Sequence, residues 1–188
     1  MEPDVKQFLS WLATAATLTF AVPTMAGQND PRLDGLFEHL QTAETEEEAQ
    51  PFEQAIWQVW LLSGNGTVDA NMLQGLQAMG TGDNEKALAF FDNVVRAQPD
   101  FAEGWNKRAT VNYLLGRYDA SVQDIHKTLE LEPRHFGALS GLGLINLALG
   151  RDYEALKAFE AALRIHPHMA GADTHIEALR EKVRGKGI

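Results

Sequence analysis

The sequence predicts an all-α protein: a superhelix (α-solenoid) of three helix–turn–helix repeats, with a helical capping hairpin before it and one capping helix after it. Three observations carry this prediction. Pro99, Pro133 and Pro167 are evenly spaced, and Gly82, Gly116 and Gly150 keep the same interval of about 34 residues. Gly75, Ala109 and Gly143 share one register position and Ala87, Ser121 and Ala155 another, so two places in each repeat are small, as closely crossing helices require. Between them run large apolar ladders at buried-helix spacing: Phe91, Ile125 and Phe159; Leu88, Val122 and Leu156; Val95, Leu129 and Leu163.

Residues 1–26 read as an export signal. Residues 8–22 are uncharged, Lys6 precedes them, and Pro23 stands ahead of Thr24-Met25-Ala26, a small-x-small pattern for cleavage after Ala26. The alternative is an uncleaved inner-membrane anchor, to which the acidic Glu2 and Asp4 point. As a helix the apolar run would span roughly 22 Å, short of the ~30 Å hydrocarbon core. A cleaved signal and a periplasmic mature protein without a membrane span are therefore the expectation.

Residues 27–67 form a hairpin and hinge. Leu33, Leu36, Phe37 and Leu40 mark a short amphipathic helix, and residues 50–62 a second one containing Trp57 and Trp60, both read as hairpin core. Shifting the repeat register back by one unit puts Phe37, Leu40 and Trp57 on repeat positions but Glu48 on the turn glycine and Glu53 on a small position, so this is a degenerate repeat or capping hairpin. Ser63-Gly64-Asn65-Gly66 is the hinge.

The repeats cover residues 68–101, 102–135 and 136–169. Each glycine of the ladder falls where a first helix ends and a left-handed residue is favoured, and each proline falls beyond a second helix. Residues 170–188 contain Ile176, Leu179 and Val183 at helical spacing before Gly185 and Gly187, a single helix closing the apolar end of the stack.

Trp105, Ala109, Gly116, Tyr118 and Pro133 stand at signature positions of one family, and on these residues the chain resembles a tetratricopeptide-repeat (TPR) protein over residues 68–169. Asn71, Gln74, Arg108 and Asn112 depart from the apolar pattern, and looser packing is expected in the first repeat. With Trp105-Asn106-Lys107-Arg108-Ala109 and Arg134-His135-Phe136-Gly137-Ala138-Leu139, the layout is similar to small exported TPR proteins of alphaproteobacteria. The resemblance implies a concave groove lined by first helices. On this chain it would be made by Met72, Leu76 and Met79 of the first repeat, Asn106, Thr110, Tyr113 and Leu114 of the second, and Ser140, Leu144 and Leu147 of the third, with Asp69 and Glu103 at its edge and Thr174 and Ala178 from the last helix. TPR domains that grip a C-terminal carboxylate use Lys, Asn and Arg on these helices; here the matching positions hold Met72, Leu76, Lys107, Gly137 and Gly141, so that subtype is set aside.

Composition narrows the function. A net charge of −10 and a pI near 5.0 disfavour nucleic acid and anionic membranes, which need a basic face. Cysteine is absent, which excludes disulfides and thiolate chemistry. His166, His168 and His175 with Asp173 could form a zinc or nickel set, although their spacing matches no established motif; the bland reading puts His166 and His168 at exposed linker positions. His39, His126 and His135 carry no combined signal. Glu44, Glu46, Glu47, Glu48 and Glu53 read as a solvated helix start favoured by the helix dipole. Gly80-Thr81-Gly82 and Gly141-Leu142-Gly143 lack the lysine and strand context of phosphate loops. Asn65-Gly66-Thr67 is a sequon relevant only to a secreted eukaryotic chain. The reading is a non-enzymatic adaptor with no cofactor or metal, binding a protein or peptide in an apolar groove. The alternative is a periplasmic metal-binding or catalytic protein that uses the C-terminal histidines.

Overall fold

The computed structural model describes residues 26–170 and 172–185, and in them there is helix but no strand. The residues carrying the export reading, apart from Ala26, lie outside the described residues. A 3₁₀ turn, Gly27–Asn29, precedes α1 (Arg32–Thr42), α2 (Glu46–Trp60), α3 (Gly66–Gly80), α4 (Asn84–Ala97), α5 (Ala102–Leu114), α6 (Tyr118–Leu131), α7 (Phe136–Ala148), α8 (Asp152–Ile165) and α9 (Ala172–Gly185). None of these helices is long and apolar enough to cross a membrane.

The repeat punctuation is physical. Gly82, Gly116 and Gly150 have φ of +77°, +72° and +69°. Each closes its helix with the same pair of backbone bonds: Gly82 N–H to Met79 O and Asp83 N–H to Ala78 O, repeated at Gly116 and Arg117 and again at Gly150 and Arg151. This is the double bond of a Schellman turn, which satisfies carbonyls a helix end leaves open. Helix starts are capped as locally: Asp83 accepts from Lys86 N–H, and Asn65 from Thr67 and Val68 N–H. Thr45 caps α2, which begins earlier than expected, accepting the Glu48 N–H and placing Glu46, Glu47 and Glu48 in its first turn.

The helices of each repeat pair as α3 with α4, α5 with α6 and α7 with α8, and successive units stack α4 on α5, α6 on α7 and α8 on α9. Small meets large at each crossing. A Cβ on Gly75 would lie 2.6 Å from the Phe91 ring, and one on Gly143 would lie 2.7 Å from the Phe159 ring. In the second repeat Ala109 shares its core with the smaller Ile125. In the first repeat Val68, Met72, Phe91, Val94 and Phe101 form one buried cluster, while the polar Gln74 faces outward and Asn71 bonds back to Thr67 O. Arg108 and Asn112 replace apolar contacts with a polar one. Arg108 clasps the buried Asp124 through two nitrogens, at 2.9 and 2.6 Å, and Asn112 adds a third bond at 3.0 Å.

The α1–α2 hairpin does not stand in front of the first repeat as another unit of the stack. It lies along the row of linkers that join one repeat to the next. At the first linker the Gln28 side chain bonds to Asp100 O and to Ala102 N–H, and the Gln98 amide donates to Ser63 O. At the second, Arg134 pairs with Asp34 at 2.7 Å and covers the Phe37 ring, while Trp60 stacks on His135. At the third, His166 faces Glu53 and His168 bonds to Ala43 O at 2.9 Å. Leu33, Phe37, Leu40, Ile56 and Trp60 share one core with Phe136, against which Ile165 and Met169 also pack. The hairpin's apolar face is thus satisfied sideways, by linker residues of the second and third repeats.

Candidate functional site

Where α2 passes the first turns of α5 and α7, a cavity of about 250 Å³ remains between hairpin and repeats. Glu53 and Trp57 form its α2 wall, Asn106, Thr110 and Tyr113 come from α5, and Ser140, Gly141 and Leu144 from α7, with Phe136 and Met169 at its linker side. The lining is mainly apolar with a few hydroxyl and amide groups, the composition of a site that seats a side chain and orients it.

Trp57 is fixed from several sides. A Cβ on Gly137 would stand 2.5 Å from its Cη2, so the absence of a side chain there admits the indole. Its ring meets Trp60 and Phe136 edge-on at 5.3 Å each, its Nε1–H donates to Glu53 Oε1 at 3.2 Å, and the Lys107 ammonium lies 5.0 Å from the ring centroid. The Glu53 carboxylate, held by that bond, also has Oε2 3.3 Å from Nε2 of the buried His166. Neither His166 nitrogen makes a hydrogen bond among the described residues.

Beneath the cavity is a buried charged group. Glu103 accepts from His135 Nε2 at 2.8 Å and from Asn106 Nδ2 at 3.0 Å, and pairs with Lys107 at 2.9 Å. His135 Nδ1 accepts the Ala138 N–H, capping α7, so its hydrogen sits on Nε2 and points at Glu103. Burial alone would raise the Glu103 carboxyl, yet the Lys107 ammonium and the His135 hydrogen bond outweigh it and hold it down at about 2. The group locks the start of α5 to the start of α7 and fixes Asn106 in the cavity floor.

Of the residues expected to line a groove, Asn106, Thr110, Tyr113, Ser140 and Leu144 come together in this cavity. The others do not. Met72 is 2% exposed, in the core of the first repeat, with Leu76 and Met79 packed against that core. Leu147 packs on the core formed with α9, and Leu114 is exposed at the end of α5, outside the cavity wall. The structure thus gathers part of the expected lining around a cavity at the second and third repeats, while Met72, Leu76 and Met79 of the first repeat pack in or against its own core.

The histidines are corrected too. His166 is buried rather than exposed, His168 ties the hairpin to the third linker, and His175 stacks on Phe159 at 5.2 Å. They face different neighbours, and among the described residues no group of three His, Asp or Glu is placed to hold a metal. His135, dismissed on spacing, is wholly buried. The register held a signal for it: the equivalent positions are Phe101 and Met169, both large and apolar, so a histidine there occupies a core site. Glu53 is likewise no part of a solvated helix start, and Trp57 lines the cavity while Trp60 is core.

The comparisons with known proteins agree on the fold. The family model described as Tetratricopeptide repeat matches residues 72–125 and 115–170. A TPR repeat-containing protein of Rhizobium etli is 38% identical over 175 residues, spanning 92% of this chain and 86% of the relative. The Hsp70-Hsp90 organizing protein of Triticum aestivum is 28% identical over 103 residues, 55% of this chain but 18% of that protein. Among solved structures, the first TPR of Spaghetti (RPAP3) bound to the HSP90 peptide SRMEEVD superposes with a TM-score of 0.60 at 19% identity, covering 63% of this chain and 94% of that one. The Sgt2 TPR domain from Aspergillus fumigatus gives 0.61 at 18%, covering 65% and 83%.

Proposed function

Since the chain belongs to the tetratricopeptide-repeat family, we propose that it is a non-enzymatic adaptor that holds a protein or peptide segment by inserting one apolar anchor side chain into the cavity between α2, α5 and α7. The observation that carries this reading is the cavity itself, an open apolar recess floored by a rigid charged network. The peptide-bound RPAP3 domain supports peptide capture as a use of this fold.

The hairpin is a permanent wall of the site rather than a stand-in for the partner. Trp60, Ile56, Leu40, Leu33 and Phe37 are each at most 3% exposed. They form one continuous core with Phe136, against which Ile165 and Met169 pack, so the hairpin is built into the structure and the partner uses the recess that α2 leaves open. We further propose a periplasmic location for the mature protein, on the strength of the sequence pattern of residues 1–26.

A photo-crosslinking residue at Thr110, introduced in the native host, tests the reading. The expected result is a specific covalent adduct that disappears when Leu144→Glu places a charge in the cavity wall with no partner to compensate it. Adduct formation that ignores Leu144→Glu would move the binding surface elsewhere.

A further inference from the structure

We infer that Glu53 makes the cavity selective for a segment that carries a cationic side chain beside its apolar anchor. The inference rests on the binding reading above and adds the chemistry of the partner. Among the described residues, Glu53 is the one charged residue in the cavity lining. Lys107, whose ammonium lies 5.0 Å from the Trp57 ring centroid, is paired with the buried Glu103 at 2.9 Å, so its charge is already balanced there.

The carboxylate is positioned rather than loose. The Trp57 indole N–H holds Oε1, the edge of His166 faces Oε2, and the side chain keeps 34% of its surface exposed. A carboxylate offers about four acceptor directions, so this one retains acceptor capacity for an ammonium or guanidinium. An anionic segment would instead bring a second negative charge beside Glu53 in a chain whose net charge is −10. Because Glu53 belongs to α2, this selectivity comes from the hairpin and not from the repeats, whose own contribution to the lining is uncharged.

Two end-blocked dipeptides, leucine–lysine and leucine–glutamate, titrated into the ¹⁵N-labelled protein, provide the test. Both carry the same anchor and opposite charge. The leucine–lysine peptide should shift the Thr110, Ser140 and Gly141 amide resonances with a dissociation constant at least about tenfold lower than its counterpart. Glu53→Gln, which keeps an acceptor for the Trp57 indole, should bring the two peptides to within about twofold, and Glu53→Lys should reverse the order. Circular dichroism of each variant checks that the fold is retained. A preference that survives in Glu53→Gln, or equal binding of both peptides to the unmodified protein, overturns the inference and leaves cavity binding intact. If neither peptide moves those resonances at any attainable concentration, cavity binding itself fails and the inference fails with it.

Discussion

Gly137 and Trp57 meet where the hairpin crosses the third repeat, at a distance that leaves no room for a methyl group: a Cβ on Gly137 would sit 2.5 Å from Cη2 and 3.0 Å from Cζ2 of the indole. The indole cannot retreat easily, since Trp60 and Phe136 hold its other edges. This contact couples two segments far apart in sequence and sets one wall of the cavity.

Gly137→Ala should therefore destabilise the protein by roughly 1 to 3 kcal/mol, although alanine is the better helix former. Urea unfolding measures it. In a Trp57→Leu background the same substitution should cost little, giving a coupling of at least about 0.5 kcal/mol in a double-mutant cycle. Additive effects would show that the close approach does not constrain the fold.

Two glycines on α7 provide an internal contrast. A Cβ on Gly143 would strike the Phe159 ring at 2.7 Å, whereas one on Gly141 would touch Ile125 Cδ1 at an ordinary 3.6 Å. Gly143→Ala should lose about 1 kcal/mol or more and Gly143→Leu well beyond that, while Gly141→Ala should be neutral or gain up to about 1 kcal/mol from helix propensity. Thermal melts of the three variants decide the matter, and equal behaviour at both positions would refute the packing described at the helix crossing.

Glu103 links stability to pH. Its folded pKa of about 2 lies below the ordinary 4.5, so the ionised form is the one that folding favours. Its contribution is fully present above about pH 5 and is lost as pH falls toward 2, on the order of 3 kcal/mol over that window. Glu103→Gln cannot titrate. Its unfolding free energy should decline less steeply between pH 5 and 2 than that of the unmodified protein, and at neutral pH it should be lower by roughly 2 to 5 kcal/mol because Lys107 loses its partner. Parallel curves for the two proteins would remove Glu103 from the acid response.

Export can be read from mass. If the chain is processed after Ala26, the protein recovered from the native envelope has the intact mass of residues 27–188 and is found in the soluble fraction. Retention of residues 1–26 together with sedimentation in membranes would favour the anchor.

The sequence by itself determined the repeats. Gly82, Gly116 and Gly150 close their helices by bonds to carbonyls only a few residues away, and Gly75 with Phe91 or Gly143 with Phe159 lie within one helix pair, so a fixed interval between them is enough to specify the contact. The closing helix was legible for the same reason, since Ile176, Leu179 and Val183 share one face at helical spacing. The tertiary structure alone decided where the hairpin goes. Its amphipathic face states only that an apolar surface must be covered, and burial is non-directional, so either the first repeat or the row of linkers would have satisfied it. The choice depends on partners in the second and third linkers and the start of α7: Gly137 for Trp57, His135 for Trp60, Arg134 for Asp34 and His168 for Ala43. The repeat period locates those linkers but does not say which hairpin residue each one meets, and that is why Glu53, read as part of a solvated helix start, proved to line the cavity.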